Sequence, residues 1–304
     1  MSFPARERIR RGALRLRLLL AVLGPGIITA NVDNDAGGIT TYSQAGARYG
    51  LSTLWLFPAL CLALVVVQEM SNRMGVVTGK GLSDLIRERF GVKATFYLLL
   101  GLLVTNFGNI LAEFAGVAAA GEIFGIPRLV SVPLAAFFVW VIVLRASYAT
   151  VEKVFLVACL FYVSYLVAGF YSHPSAGDIA RALAVPRLFP EPGYLVMLVA
   201  LVGTTIAPWM QFYQQSSVAE KNIRVSDYAL SRLDTIVGCL AVTVVAVFIV
   251  VVCSTHLHSQ GIEIESAGDA ARALIPVAGR YAAGLFAFGL FNASLFAASI
   301  LPLS

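Results

Sequence analysis

Four side chains with oxygen donors, Asn31, Asp33, Asn34 and Asp35, stand together in a stretch that is otherwise apolar, Gly24 to Gly50. A carboxylate at bilayer depth costs roughly 2.5–3.5 kcal/mol on insertion scales, so two of them in one run mark a place where something compensates the charge. Carboxylate and amide oxygens are hard donors, and the chemistry they suit is the holding of a cation. Gly37 and Gly38 follow directly. Each forfeits about 1 kcal/mol of helix stability relative to alanine, so the helix should open here. Unwound backbone at that depth survives only when buried in protein or lining a wet cavity. Asn31 lies four residues before Asp35 and shares its face if the helix holds that far, close enough to bind a retained water. Asp33 has two readings, a second carboxylate for a hydrated ion or a cap on the opened half-helix. The first is preferred.

A second polar interruption falls in Gly203-Thr204-Thr205-Ile206-Ala207-Pro208-Trp209. Pro208 has no N–H, so the Thr204 carbonyl four residues back loses its helical partner and must find water, a side chain or an ion. Thr205, Gln211, Gln214 and Gln215 add polar lining, and Gln211 is expected to face the site. Glu113 sits in a third apolar run with Asn106 and Asn109. A buried packing role and a relay role weigh about equally for it. His173, His256 and His258 fall outside the apolar runs, and the four cysteines are scattered as small hydrophobes. With no His/Cys/carboxylate cluster and no nucleophile–base pair inside the spans, an enzyme is not expected.

The elements that must position these groups are membrane helices. Of 304 residues 59% are hydrophobic and 13% charged, about half the charge of a soluble domain, which is roughly a quarter charged. The chain reads as an all-α polytopic membrane protein and one transmembrane domain. Its eight spans are roughly 18–48 (interrupted at 33–38), 52–74, 93–124, 129–145, 151–171, 193–219, 234–255 and 281–304. The net charge of +5 does not point to nucleic acid, because Arg6, Arg8, Arg10, Arg11, Arg15 and Arg17 crowd ahead of the first span. That is the positive-inside pattern, and it puts the N-terminus in the cytoplasm of an inner or plasma membrane. The loops carrying Lys80/Arg87/Arg89, Arg145/Lys153 and Lys221/Arg224 then fall on the same side. Residues 79–91 form an amphipathic stretch expected to lie in the interface. Glu69 and Arg73, one turn apart, should pair. The chain stops at Ser304 within or just past a span, so further C-terminal helices are expected in the complete protein.

The two interrupted spans are the first and the sixth. Corresponding breaks in two halves point to an inverted-repeat carrier with its cargo between the unwound segments. Freed carbonyls and the C-terminal ends of half-helices suit a cation.

At these residues the chain resembles the NRAMP family of divalent-metal transporters, which have the LeuT-like architecture with discontinuous helices one and six. The resemblance runs in order over essentially the whole chain. The family's first-helix Asp-Pro-Gly-Asn falls on Asp35-Ala36-Gly37-Gly38, and its Gln-Ala-Gly-Ala stretch on Gln44-Ala45-Gly46-Ala47. Val77-Thr78-Gly79-Lys80 through Arg87-Glu88-Arg89-Phe90-Gly91 resembles the segment after its second helix. Ala112-Glu113 falls on its helix-three Ala-Glu, and Ile206-Ala207-Pro208-Trp209 on its helix-six Ile-Met-Pro-His.

The resemblance implies that Asp35 is the metal-binding carboxylate and that Thr204 contributes a ligand carbonyl. It also implies that the family's asparagine ligand is replaced by Gly38 and its methionine thioether by Ala207. Loss of the thioether leaves oxygen donors and a roomier site, which suits a hard ion that keeps its water. The magnesium-transporting branch of the family likewise lacks the methionine. The expectation is therefore Mg²⁺ uptake by alternating access, with Mn²⁺ second. The family's proton route is altered, since its helix-six histidine is Trp209 and a helix-three aspartate is Ile110, so uptake should run without proton coupling. A proton-coupled Mn²⁺/Fe²⁺ importer and an amino-acid carrier of the same architecture are the alternatives. A fixed Asp35 would repel a substrate carboxylate. The ion is cargo, no cofactor is implied, and the expected partners are the ion and the bilayer, with no obligatory protein.

Overall fold

The computed structural model describes residues 24–145, 161–171 and 175–304, with 154, 156, 157 and 159 between them. The N-terminal arginines, the start of the first span, much of the fifth, Lys153 and His173 lie outside the described residues.

The first span is two helices, α1 (Pro25–Val32) and α2 (Ala36–Tyr49), parted by residues 33–35. Pro25 opens α1, where its missing N–H is not needed. Asp35 opens α2 in extended backbone, and its side chain accepts from Gly38 N. A short 3₁₀ turn (Gly50–Thr53) leads to α3 (Leu56–Thr78), which Gly79 ends in left-handed backbone. The third span belongs to α4 (Leu82–Ile123), kinked at Gly91 where φ is 82°. The kink separates the short amphipathic piece from the span proper, as the residues before and after Gly91 suggest.

Beyond it come α5 (Arg128–Arg145), α6 (Val163–Tyr171) and α7 (Ala176–Ala184). The sixth span is again double, α8 (Pro192–Thr205) and α9 (Pro208–Glu220), and Ile206 and Ala207 form the break. The described chain closes with α10 (Tyr228–His256) and α11 (Ala267–Ile300).

Two elements depart from the apolar-run reading. The polar loop before the sixth span contains α7, which Ser175 caps by accepting from Asp178 N. The last helix starts at Ala267 rather than near 281, because Ser266 and Asp269 form a reciprocal capping box. Its first turns are polar, so a hydropathy window misses them.

Six helical stretches among the described residues are long and apolar enough to cross a membrane. α4 and α5 turn large apolar side chains outward, among them Leu103, Phe107, Leu111, Leu134 and Phe137. That is expected of a face meeting lipid rather than water. α10 and α11 carry the core, where Ile249, Val250, Cys253, Phe286 and Leu290 are fully buried.

The half-helices pack crosswise: α1 lies against α9, and α2 against α8. α10 runs along α1, α2 and α3, and α11 along α4 and α2. The α1–α10 approach is close enough to require glycine on both sides. A Cβ on Gly26 would lie 2.5 Å from Thr235 Cα, and one on Gly238 would lie 2.6 Å from Gly26 O.

A candidate ion site at two broken helices

At the first break the backbone leaves carbonyls unpaired. Among the described residues no backbone N–H donates to the carbonyl of Val32 or Asp33. The last turn of α1 tightens instead, with Asp33 N donating to Ala30 O (3.1 Å) and Asn34 N to Asn31 O (3.2 Å). At the second break Ile206 N reaches back to Val202 O (3.1 Å), and no backbone N–H of the described residues donates to Thr204 O. This follows from Pro208, as its chemistry requires.

The two acids of the first break are placed differently. Asp35 is half-buried, and its Oδ1 accepts from Gly38 N at 2.6 Å. Asp33 is 2% exposed, and its Oδ2 has no hydrogen-bond partner. Asp33 packs beside Tyr42, Phe57, Leu60, Thr205, Val242, Thr243 and Ala246, around a gap with no room for a water molecule. Tyr42 Oη and Thr205 Oγ1 lie 3.2 Å apart, a hydrogen bond from α2 to the end of α8. This contact joins the two interrupted spans directly.

Glu113 is fully buried, and its Oε2 accepts from Ala36 N (3.1 Å). The positive N-terminal end of α2 thus faces two carboxylates, Asp35 from within the chain and Glu113 from α4. Asn34 fastens the break elsewhere. Its Nδ2 donates to Val242 O of α10 (3.3 Å), and Tyr162 Oη, just ahead of α6, donates to Asn34 O (3.5 Å).

The remaining residues singled out from the sequence have other immediate partners. Asn31 is buried, with Nδ2 donating to Ile27 O (2.7 Å) of its own helix. Gln211, with its amide nitrogen turned toward the break, donates to Pro208 O (2.7 Å) and Ala207 O (2.9 Å). Gly38 has no room for a side chain, since a Cβ would lie 2.5 Å from Asp33 O. Ala207 is half-buried at the N-cap of α9. Trp209 is a core residue, 2% exposed.

Sequence reasoning passed over Tyr42, Thr243 and Asp234. Tyr42 lies seven residues past Asp35, two turns along one helix face, and that spacing was a usable signal. Nothing local marked Thr243. Asp234, 1% exposed on α10, accepts from Gly24 N (3.1 Å) and Gly26 N (2.7 Å) and so holds the start of α1. Its signal was a carboxylate at the head of an apolar run.

A buried polar seam also joins α3, α9 and α10. Asn72 Nδ2 and Gln214 Nε2 both donate to Thr235 Oγ1 (3.1 and 3.2 Å), and Ser231 Oγ donates to Asn72 Oδ1 (2.7 Å). Glu69 pairs with Arg73 at 3.8 Å, as their spacing predicts, and also accepts from Tyr228 Oη.

A family model described as natural resistance-associated macrophage protein-like (Nramp) matches residues 26–304. A divalent metal cation transporter MntH of Erwinia tasmaniensis is 27% identical over 275 residues, covering 88% of this chain and 66% of that protein. MntH of Deinococcus radiodurans is also 27% identical, over 286 residues, with coverages of 90% and 64%. The chain therefore spans just under two thirds of the length of these relatives. A crystal structure of the Eremococcus coleocola manganese transporter superposes with a TM-score of 0.78 at 21% identity, covering 93% of this chain and 65% of that one. The fold is accordingly the all-α, LeuT-like fold of an integral membrane protein.

Proposed function

The chain belongs to the Nramp family, and from that premise we propose that it carries a divalent metal cation across a membrane by alternating access. The observation that carries this reading is the meeting of the two breaks, tied by Tyr42 Oη and Thr205 Oγ1, with unpaired carbonyls on both sides. In this reading Asp35 and the Thr204 carbonyl are the first ligands the ion meets. Asp35 is the half-buried acid of the pair, and Thr204 O has no backbone donor.

The donor set at the breaks is oxygen. Ala207 offers no sulfur, and Met210, one turn on, is buried in the apolar core. An all-oxygen site suits Mg²⁺, Ca²⁺ or Mn²⁺, and Mg²⁺ is the first choice because it keeps its waters where few charged ligands are offered. Mn²⁺ import is the second reading, and the likeness to MntH proteins and to a manganese transporter favours it. Uptake runs without a coupled proton, since Trp209 and Ile110 stand where the family's proton route would pass. The N-terminus lies in the cytoplasm.

The test is an ion panel on the chain reconstituted in liposomes with an inside-negative potential. Uptake of Mg²⁺ that Mn²⁺ inhibits weakly supports the first reading, and the reverse order supports the second. No flux of any divalent ion, with labelled amino acids carried instead, would remove both.

A further inference from the structure

We propose that one turn of α10, Ser231 to Thr235, is a clasp that binds α1, α3 and α9 together and so shuts the carrier on the face where α1 begins. The proposal rests on the metal-carrier reading and deepens it, by assigning the residues that close one of the two entrances.

Three helices are fastened to that single turn. Asp234 accepts from Gly24 N (3.1 Å) and Gly26 N (2.7 Å), which secures the first turn of α1. Thr235 Oγ1 accepts from Asn72 Nδ2 of α3 (3.1 Å) and from Gln214 Nε2 of α9 (3.2 Å). Ser231 Oγ donates to Asn72 Oδ1 (2.7 Å) and ties α3 a second time. All five side chains are buried, none more than 1% exposed. They gather at one end of the bundle, where α1 and α10 start and α3 and α9 stop.

The make-up of the turn suits a contact that opens. Farther along α10 the packing is apolar, at Ile249, Val250 and Cys253, and exposing such surface to water is unfavourable. Amides, hydroxyls and a carboxylate accept water as a substitute partner instead. Some neighbouring groups are not satisfied while the clasp is shut. Gln214 Oε1 and both amide atoms of Gln68, one turn before Asn72, have no partner among the described residues. Access to water would satisfy them and offset part of what opening the clasp loses. α1 is also built to move, with eight residues joined to α2 by an opened turn. At Gly26 and Gly238 it meets α10 backbone to backbone, over a smooth surface.

From the clasp toward the breaks, Thr235, Cys239 and Thr243 follow one face of α10 at intervals of four. Thr243 packs beside Asp33 around the gap that admits no water. This side of the breaks is therefore closed, and Cys239, fully buried along it, is a native thiol placed to report its opening.

The test labels Cys239 with a membrane-impermeant maleimide in proteoliposomes of oriented insertion, offering the reagent from the α1 face or from the opposite one. Peptide mass spectrometry separates Cys239 from Cys61, Cys159 and Cys253. Thr235→Val keeps the side-chain shape and removes both hydrogen bonds to Oγ1. Thr235→Val and Asp234→Asn should each raise the labelling rate about tenfold from the α1 face and leave it unchanged from the other. Ser231→Ala, which loses one bond, should raise it about threefold. Ser266→Ala, a weakened cap at the head of α11, is the destabilised control and should label as wild type does. Wild-type rates in both Thr235→Val and Ser231→Ala overturn the proposal. An equal rise from both faces overturns it too, as does a like rise in Ser266→Ala, since each shows general loosening. Mn²⁺ influx is recorded in parallel, and a wild-type chain that moves no divalent ion removes the carrier reading, and an ion gate with it, whatever the labelling shows.

Discussion

Asp35 and Asp33 show how little a residue type says without its surroundings. Both are aspartates in one opened turn, but Asp35 is half-spent on a helix cap while Asp33 is left bare. Replacing Asp35 by alanine should abolish Mg²⁺ or Mn²⁺ uptake into liposomes, and unchanged flux would take Asp35 out of the site. Ala207→Met places a thioether at the second break, where soft donors favour transition metals. The ratio of Mn²⁺ or Cd²⁺ to Mg²⁺ uptake should rise, and a constant ratio would count against the oxygen-only account. At this scale the sequence was readable where cost made residues conspicuous, as with Asp33, Asp35, Glu113 and Pro208. It was silent on how a polar side chain is anchored. Asn31 and Gln211 are spaced as if to reach an ion, and each donates its amide nitrogen to a carbonyl within its own turn or two, which leaves the amide oxygen as the group for an ion or its water. Spacing fixes a face of the helix, and the rotamer decides the partner.

Among the elements, α1 depends on α10 more than on any contact its side chains choose. Its first N–H groups are met by Asp234, and its backbone presses against Thr235 and Gly238. Hydrogen bonds to a charged acceptor contribute about 1.5–3 kcal/mol, so Asp234→Ala should lower stability by at least that order, read as a fall in thermal midpoint in detergent. Gly26→Ala forces a methyl into the Thr235 backbone, and such overpacking costs about 1–3 kcal/mol. A Gly26→Ala protein with an unaltered midpoint would show that α1 sits farther from α10 than described. The breaks and the Gly91 kink were legible because glycine, proline and acid leave plain marks in an apolar run. α7 and the early start of α11 were not, because capping by Ser175 and by Ser266 with Asp269 starts a helix regardless of hydropathy.

Across the whole molecule, the apolar runs were enough to foresee a bundle of membrane helices, but not which helix meets which. The crosswise pairing of α1 with α9 and α2 with α8 depends on contacts far apart in sequence, which periodicity does not encode. A carrier moving a divalent ion without a proton should respond to voltage. Two charges crossing 100 mV gain about 4.6 kcal/mol, from roughly 2.3 per charge. Inside-negative potential should therefore speed influx, and the pH inside the liposome should stay flat. Acidification that tracks the metal would refute uncoupled uptake.

The opened turn between α1 and α2 is held from three directions, by Glu113 on α4, by Val242 on α10 and by Tyr162. A fulcrum pinned in this way can rotate but cannot slide. Swinging of α1 about it would then leave the candidate ion seat at Asp35 where it is, and an ion offered from either side of the bilayer should meet the same intrinsic affinity. Proteoliposomes with oriented insertion can check this, by comparing dissociation constants measured from the two faces.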